Sequence, residues 1–174
     1  MKILETERLV LRHFTIDDSA FILRLVNEPS WLQYIGDRGV RTLDDARSYL
    51  IKGPIQMYAQ FGFGLYLTEL KSDGTPIGLC GLIKRDSLED VDIGFAFLPE
   101  HCSKGYAYES AAGVLAYAAN QLGLKRVVAI TTEDNTASLR LLDRLGLKLE
   151  SKVTLTGEDK ELLLLSISFD TKPA

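Results

Sequence analysis

Pro99-Glu100-His101-Cys102-Ser103-Lys104-Gly105-Tyr106-Ala107-Tyr108-Glu109-Ser110-Ala111 lies between a strand-like run, Val91 to Leu98, and a helix-like run with Ala111, Leu115, Ala118 and Leu122 on one face. Small residues that open a helix leave its first backbone N–H groups unpaired and unshielded, and such groups bind phosphate oxygens. Gly105 lets the backbone approach a ligand with no side chain in the way, and Lys104 adds a positive charge beside those donors. The stretch predicts a diphosphate site. The plainer alternative is an ordinary helix start, capped by Ser103 and relieved by Gly105.

The surroundings favour the first reading. The strand at 91–98, the helix at 106–122 and a second strand at 126–132 form a strand-helix-strand unit, so the loop falls at a strand's C-terminal end, where ligands gather in open α/β sheets. The stretch is neither a three-glycine dinucleotide fingerprint nor a P-loop, since it lacks both the glycine spacing and a Gly-Lys-Ser/Thr. Upstream, 63–70 and 76–85 read as strands joined by the turn Lys71-Ser72-Asp73-Gly74-Thr75, giving an antiparallel meander. The chain opens with a strand running to Phe14. Thr15 with Asp18 then caps a helix at 16–28, ended by Pro29. A loop follows at 31–41, whose Trp31 and Tyr34 are expected to pack in the core. Thr42 with Asp45 caps a second helix, broken near Gly53-Pro54, and 55–61 is a short helix or irregular. A helix from Asn135 to Leu145 closes at Gly146, and strands at 147–154 and 161–169 finish the chain. The expected fold is α+β (mixed α/β), one domain over residues 1–174, with a mostly antiparallel sheet of about seven strands covered by about four helices.

Composition narrows the function. With 46% hydrophobic and 25% charged residues and only short apolar runs, no membrane segment is expected. Charges appear early in Met1-Lys2-Ile3-Leu4-Glu5, which predicts no leader and a cytoplasmic protein. Cys80 and Cys102 are expected as free thiols, and His13 and His101 are isolated, so no metal site is predicted. A net charge of −4 argues against nucleic acid and suits a cationic substrate such as an amine.

Four motifs in order then carry a resemblance: Glu5-Thr6-Glu7-Arg8-Leu9-Val10-Leu11-Arg12; Asp92-Ile93-Gly94-Phe95; Lys104-Gly105-Tyr106-Ala107 with Glu109; and Asn135-Thr136-Ala137-Ser138 with Leu145-Gly146. Over nearly its whole length the chain resembles the GNAT acyl-CoA-dependent N-acetyltransferases, and among them the RimJ/RimL-like branch. The resemblance implies acetyl-CoA bound in a cleft where two neighbouring parallel strands splay apart. The backbone amides of Cys102, Ser103, Lys104, Gly105, Tyr106 and Ala107 would then hold the pyrophosphate, and backbone groups of Phe97 and Leu98 the pantetheine arm. Asn135 would contact the cofactor, and Ser138 would lie near the thioester sulfur. The chain departs from the family pattern at Cys102, where Gln, Arg or Trp is common, and at Ser103, which replaces a frequent Gly. It also has Leu142 where many members have a Tyr that protonates the leaving thiolate.

Acetyl transfer to an amine needs a base, a polarised carbonyl and a stabilised leaving thiolate. Asp92 is the base candidate, at a point where the resembling branch often has Glu; otherwise it is a solvated strand-edge carboxylate. Ser138 is the candidate donor to sulfur, or else a helix hydroxyl bonded to a preceding carbonyl. An N–H near Phe97 is the candidate oxyanion donor. Glu109 is expected to complement the helix dipole. The acceptor is a primary amine, a peptide N-terminus or a small molecule, chosen by loops at 31–41, 53–62 and 154–160, and the protein is expected to be a monomer or homodimer. The alternatives are a catalytically silent acyl-CoA-binding module and a transferase using a different acyl-CoA.

Overall fold

In the computed structural model, which describes residues 1–169, the opening run is two strands rather than one. β1 (Lys2–Glu5) and β2 (Leu9–Arg12) form a hairpin about Thr6-Glu7-Arg8, closed by Thr6 N–H donating to Leu9 O at 2.9 Å. Thr6 Oγ1 also accepts from Leu9 N–H at 3.2 Å, so this polar tripeptide turns the chain. β3 (Leu65–Leu70), β4 (Pro76–Ile83), β5 (Asp92–Phe97), β6 (Arg126–Thr131), β7 (Lys148–Thr154) and β8 (Glu161–Ser168) complete an eight-stranded sheet of order β1-β2-β3-β4-β5-β6-β8-β7. The extra strand beyond the expected seven is the second arm of the N-terminal hairpin.

Every neighbouring pair is antiparallel except β5–β6, which is parallel and meets at a single register point, Asp92 opposite Val128. Val128 N–H donates to Val91 O at 2.9 Å there. Towards the C-terminal ends of the two strands no further pairing occurs, and the sheet parts.

Six α-helices cover the sheet among the described residues: α1 (Ser19–Leu25), α2 (Pro29–Tyr34), α3 (Leu43–Leu50), α4 (Gln56–Phe61), α5 (Tyr106–Asn120) and α6 (Thr136–Leu145). Both capping boxes read from the sequence are present, Thr15 with Asp18 before a single 3-10 turn and Thr42 with Asp45 before α3. Two expectations fail around prolines. Pro29 opens α2 at its first turn, where a missing N–H costs nothing, so the predicted loop begins as a helix. Gly53-Pro54 does not break the next helix. The chain widens into a π-helical turn, Ile51–Ile55, that accommodates the proline ring, and α3 runs on into α4.

One face of the sheet packs Ile22, Leu25, Trp31, Ala46 and Leu50 of α1 to α3 against Leu67 and Leu79. The other packs Ala111, Val114, Leu115 and Ala118 of α5 and Leu142 of α6 against Tyr66, Cys80, Leu82, Ile93 and Val127. Trp31 is core, as expected, whereas Tyr34 is only half-buried. The two cores lock β4 and β5 from both sides, which holds the edge of the parting rigid.

Candidate active site

Along Cys102 to Tyr108 the backbone is unusual. Gly105 has φ +85° and Ser103 φ +62°, the only non-glycine residue with positive φ among those described. Left-handed residues interleaved with ordinary ones turn successive N–H groups to one side, as in anion-binding nests. None of the N–H groups from Ser103 to Tyr108 has an acceptor within the described chain, and the first α5 bond is Glu109 N–H to Gly105 O. Cys102 is excluded from that run because its N–H donates to Pro99 O at 3.2 Å. The amide row therefore begins one residue later than expected and ends one later. Ser103 does not cap α5; Gly105 occupies the N-cap position without a side-chain bond.

The N-terminal hairpin fastens this loop. Glu109 accepts from the Thr6 hydroxyl, from Arg8 N–H at 2.9 Å and from Arg8 Nε at 2.7 Å. Arg8 Nη1 donates to Lys104 O at 3.0 Å, and its guanidinium lies 4.4 Å over the Tyr106 ring. Burial raises the Glu109 pKa, but the bonds from Thr6 and Arg8 outweigh it and leave the carboxyl below its ordinary range. Glu109 thus acts as an anchor for the loop rather than only as a dipole partner. Lys104 is exposed and contributes its carbonyl to the anchor.

From this rim a cleft of about 1130 Å³ runs between β5 and β6 and on towards α2 and α3. Leu98 is not part of its wall: Leu98 N–H donates to Ile77 O at 2.9 Å, and its side chain packs in the α1–α3 core. That correction follows from ladder alternation. A residue bonded to β4 at position 98 turns the N–H groups of Phe97 and Phe95 the other way, into the gap that β6 has vacated.

α6 closes the far wall. Asn135 Oδ1 accepts from Ser138 N–H at 3.3 Å, so the side chain caps α6 while the residue lines the cleft. Among the described residues the Ser138 hydroxyl makes no bond to a preceding carbonyl, unlike Ser110 Oγ, which donates to Ala107 O at 3.1 Å. Ser138 is half-buried and faces the cleft. Leu142 is buried against the core.

Asp92 is at the point where β5 and β6 part, and it is only 1% exposed, far from a solvated edge carboxylate. Burial pushes its pKa up to about 6, against the opposing pull of Arg85, whose Nε lies 3.2 Å from Oδ1. Sequence reasoning passed over Arg38, Tyr49, Lys52 and Arg85, which line the same end of the cleft, and Tyr108, Arg140 and Arg144 at the other. Arg144 lies 4.5 Å over the Tyr108 ring. Ala137, Arg140, Leu141 and Arg144 share one helical face, a spacing present in the sequence but overlooked beside the stronger Leu139, Leu142, Leu145 stripe.

A sheet parted at one parallel pair, with free amides at the head of the following helix, defines an open-sheet fold with a crevice suited to an anionic ligand, and comparison with known proteins assigns its family. The acetyltransferase (GNAT) domain family matches residues 8–148. The uncharacterized N-acetyltransferase YoaA of Bacillus subtilis (strain 168) is 30% identical over 151 residues, covering 85% of this chain and 84% of YoaA. An acetyltransferase structure from Agrobacterium tumefaciens str. C58 superposes with a TM-score of 0.83 at 23% identity, over 97% of this chain and 95% of that one. RimL, a ribosomal L7/L12 alpha-N-protein acetyltransferase solved in complex with coenzyme A, superposes with a TM-score of 0.83 at 18% identity, over 99% of this chain and all of its own. The chain belongs to the GNAT acetyltransferase family.

Proposed function

We propose that this protein is an acetyl-CoA-dependent N-acetyltransferase acting on a primary amine as one catalytic domain in the cytoplasm. The observation that carries the reading is the row of free N–H groups from Ser103 to Tyr108 opening onto the gap between β5 and β6. Those donors suit the two phosphates of a coenzyme A diphosphate, since they carry partial positive charge and have no competing acceptor. Acetyl-CoA supplies an acetyl group activated as a thioester.

The chain's own residues do the rest. Ser103, Lys104, Gly105, Tyr106 and Ala107 hold the diphosphate through backbone N–H groups, joined by Tyr108. The edge N–H groups of Phe95 and Phe97 orient the pantetheine arm and polarise the carbonyl oxygen. Asn135 shapes the wall beside it, and Cys102 borders the rim through its side chain. Asp92 takes up the proton that the amine gives up as its nitrogen bonds to the acetyl carbon and the carbon–sulfur bond breaks. Its raised pKa leaves it ionised at neutral pH yet more basic than an ordinary carboxylate. Ser138 Oγ, one turn before Leu142, donates to the departing sulfur in place of the absent tyrosine.

Release of free CoA thiol from acetyl-CoA, measured across peptides with free N-termini, free amino acids, lysine peptides and polyamines, tests this reading. Amine-dependent release is expected. Tight CoA binding without release would mean a silent binding module, and release from another acyl-CoA alone would reassign the donor.

A further inference from the structure

The end of the cleft away from α5 differs from the protein as a whole in which of its charges are left without a partner. Its wall holds three carboxylates, and each is already engaged. Glu28 lies 3.3 Å from Arg24, Asp45 accepts the N–H groups of Arg41 and Thr42 at 3.0 and 3.1 Å, and Asp92 lies 3.2 Å from Arg85. Two cations on the same wall, Arg38 and Lys52, have no carboxylate partner among the described residues. Arg38 comes from the segment between α2 and α3, Lys52 from the π-helical turn, and Arg85 follows β4, so three separate elements converge. Tyr49 marks the convergence: burial raises its phenol pKa, and the charges of Arg38 and Arg85 both oppose that rise. Beyond Lys52 and Arg85 the wall continues into a smaller furrow of about 340 Å³ lined also by Gln56, Gln60, Lys84 and one carboxylate, Asp86.

Taking the acetyltransferase reading as its basis, we propose that the acceptor is an amine bearing a carboxylate near its nitrogen, with the amine directed to Asp92 and the carboxylate held by Arg38 and Lys52. The Arg85–Asp92 pair is neutral as a unit, which leaves Arg38 and Lys52 as the cations of this wall that no salt bridge engages among the described residues. An acceptor with one ammonium and one carboxylate complements both halves, and a guanidinium offers the carboxylate paired donors. A polyamine meets two uncompensated cations instead, which opposes its entry. Free α-amino acids and peptides with an acidic residue next to a free N-terminus share this chemistry, and the furrow past Lys52 gives a peptide room to continue.

The test compares glutamate with its diamide, a C-terminally amidated tetrapeptide carrying Asp after its N-terminal residue with the same peptide carrying Asn there, and spermidine. Each is assayed by thiol release from acetyl-CoA and by calorimetric binding to the CoA-saturated full chain. Expected is a preference of about tenfold or more in kcat/KM, and in affinity, for a carboxylate acceptor over its amide. Arg38→Gln combined with Lys52→Gln should bring that ratio close to one, chiefly through KM, and Arg38→Glu with Lys52→Glu should invert it in favour of spermidine. CoA affinity of each variant reports that it is folded. A faster glutamate or a faster peptide identifies the source, and either supports the proposal. Equal use of acid and amide, or a preference for spermidine by the unaltered chain, overturns it while leaving the acetyltransferase reading intact. No release with any acceptor overturns the transferase reading, and the binding arm then decides the carboxylate site alone.

Discussion

Replacing Asp92 by Asn should make the protein more stable as pH rises while making it a poorer catalyst. In the folded protein the carboxyl holds its proton up to about pH 6, against an ordinary value of 3.8, because burial disfavours the charge more than Arg85 rewards it. Below pH 3.8 both folded and unfolded chains carry the proton, and the site contributes its full stability. Between 3.8 and 6 the unfolded chain ionises first and binds fewer protons, so stability falls with rising pH. Above 6 the loss is complete at about 3 kcal/mol, from about 1.4 kcal/mol per pH unit over the gap between the two values. Asn carries no such charge and keeps an acceptor for Arg85. The stability difference between D92N and the unaltered protein should therefore grow by roughly 1 kcal/mol between pH 5 and pH 8, since about half the loss lies above pH 5. For a chain of this size that is about 2–4 °C in Tm. Urea unfolding of both proteins at the two pH values reads it directly. A difference that stays flat across this range would refute the burial argument, and a D92N rate within threefold of the parent would remove Asp92 as base, since such groups contribute about 10²-fold or more.

Gly105→Val adds a β-branched side chain at φ +85° and places its Cβ 3.2 Å from Arg8 Nη2. CoA affinity, measured calorimetrically, should fall by about tenfold or more, since left-handed strain of roughly 1–2 kcal/mol must be relieved by moving the amide row; unchanged affinity would remove the diphosphate assignment. Ser138→Ala should lower kcat by about tenfold or more with CoA affinity preserved, and an equal rate would end its role as donor to sulfur. Cys102 is exposed on the rim while Cys80 is buried, with its pKa pushed up to about 12 by desolvation. A maleimide should therefore label one thiol of the native protein, Cys102, and saturating CoA should slow that labelling. Labelling of Cys80 at the same rate, or no protection, would contradict the assigned rim.

The local features of the site were legible because they are local. The capping boxes at Thr15 and Thr42 and the helix stop at Gly146 are each decided by a few consecutive residues, and all appear where the sequence places them. Leu98 and Cys102 were misassigned for a different reason. Whether a backbone N–H is free depends on which neighbour claims it, and Ile77 and Pro99 claim these two through ladder phase and a short turn that periodicity does not encode. The continuation through Gly53-Pro54 was hidden likewise, since a π-helical turn suits a proline only when the surrounding packing selects it.

Charge was the most misleading global quantity. A net charge of −4 suggests a cationic substrate, yet it averages over a surface on which Asp45, Glu28 and Asp92 are already committed to neighbours. Recognition depends on the charges left without a salt bridge at the cleft, and at its Asp92 end among the described residues these include the cations Arg38 and Lys52, which only the path of α2, α3 and the π-helical turn brings to one wall. The same logic explains Asp92 itself. A carboxylate made costly by burial and only partly compensated by Arg85 weakens the folded state at neutral pH, and such a cost persists where the group's basicity is put to use.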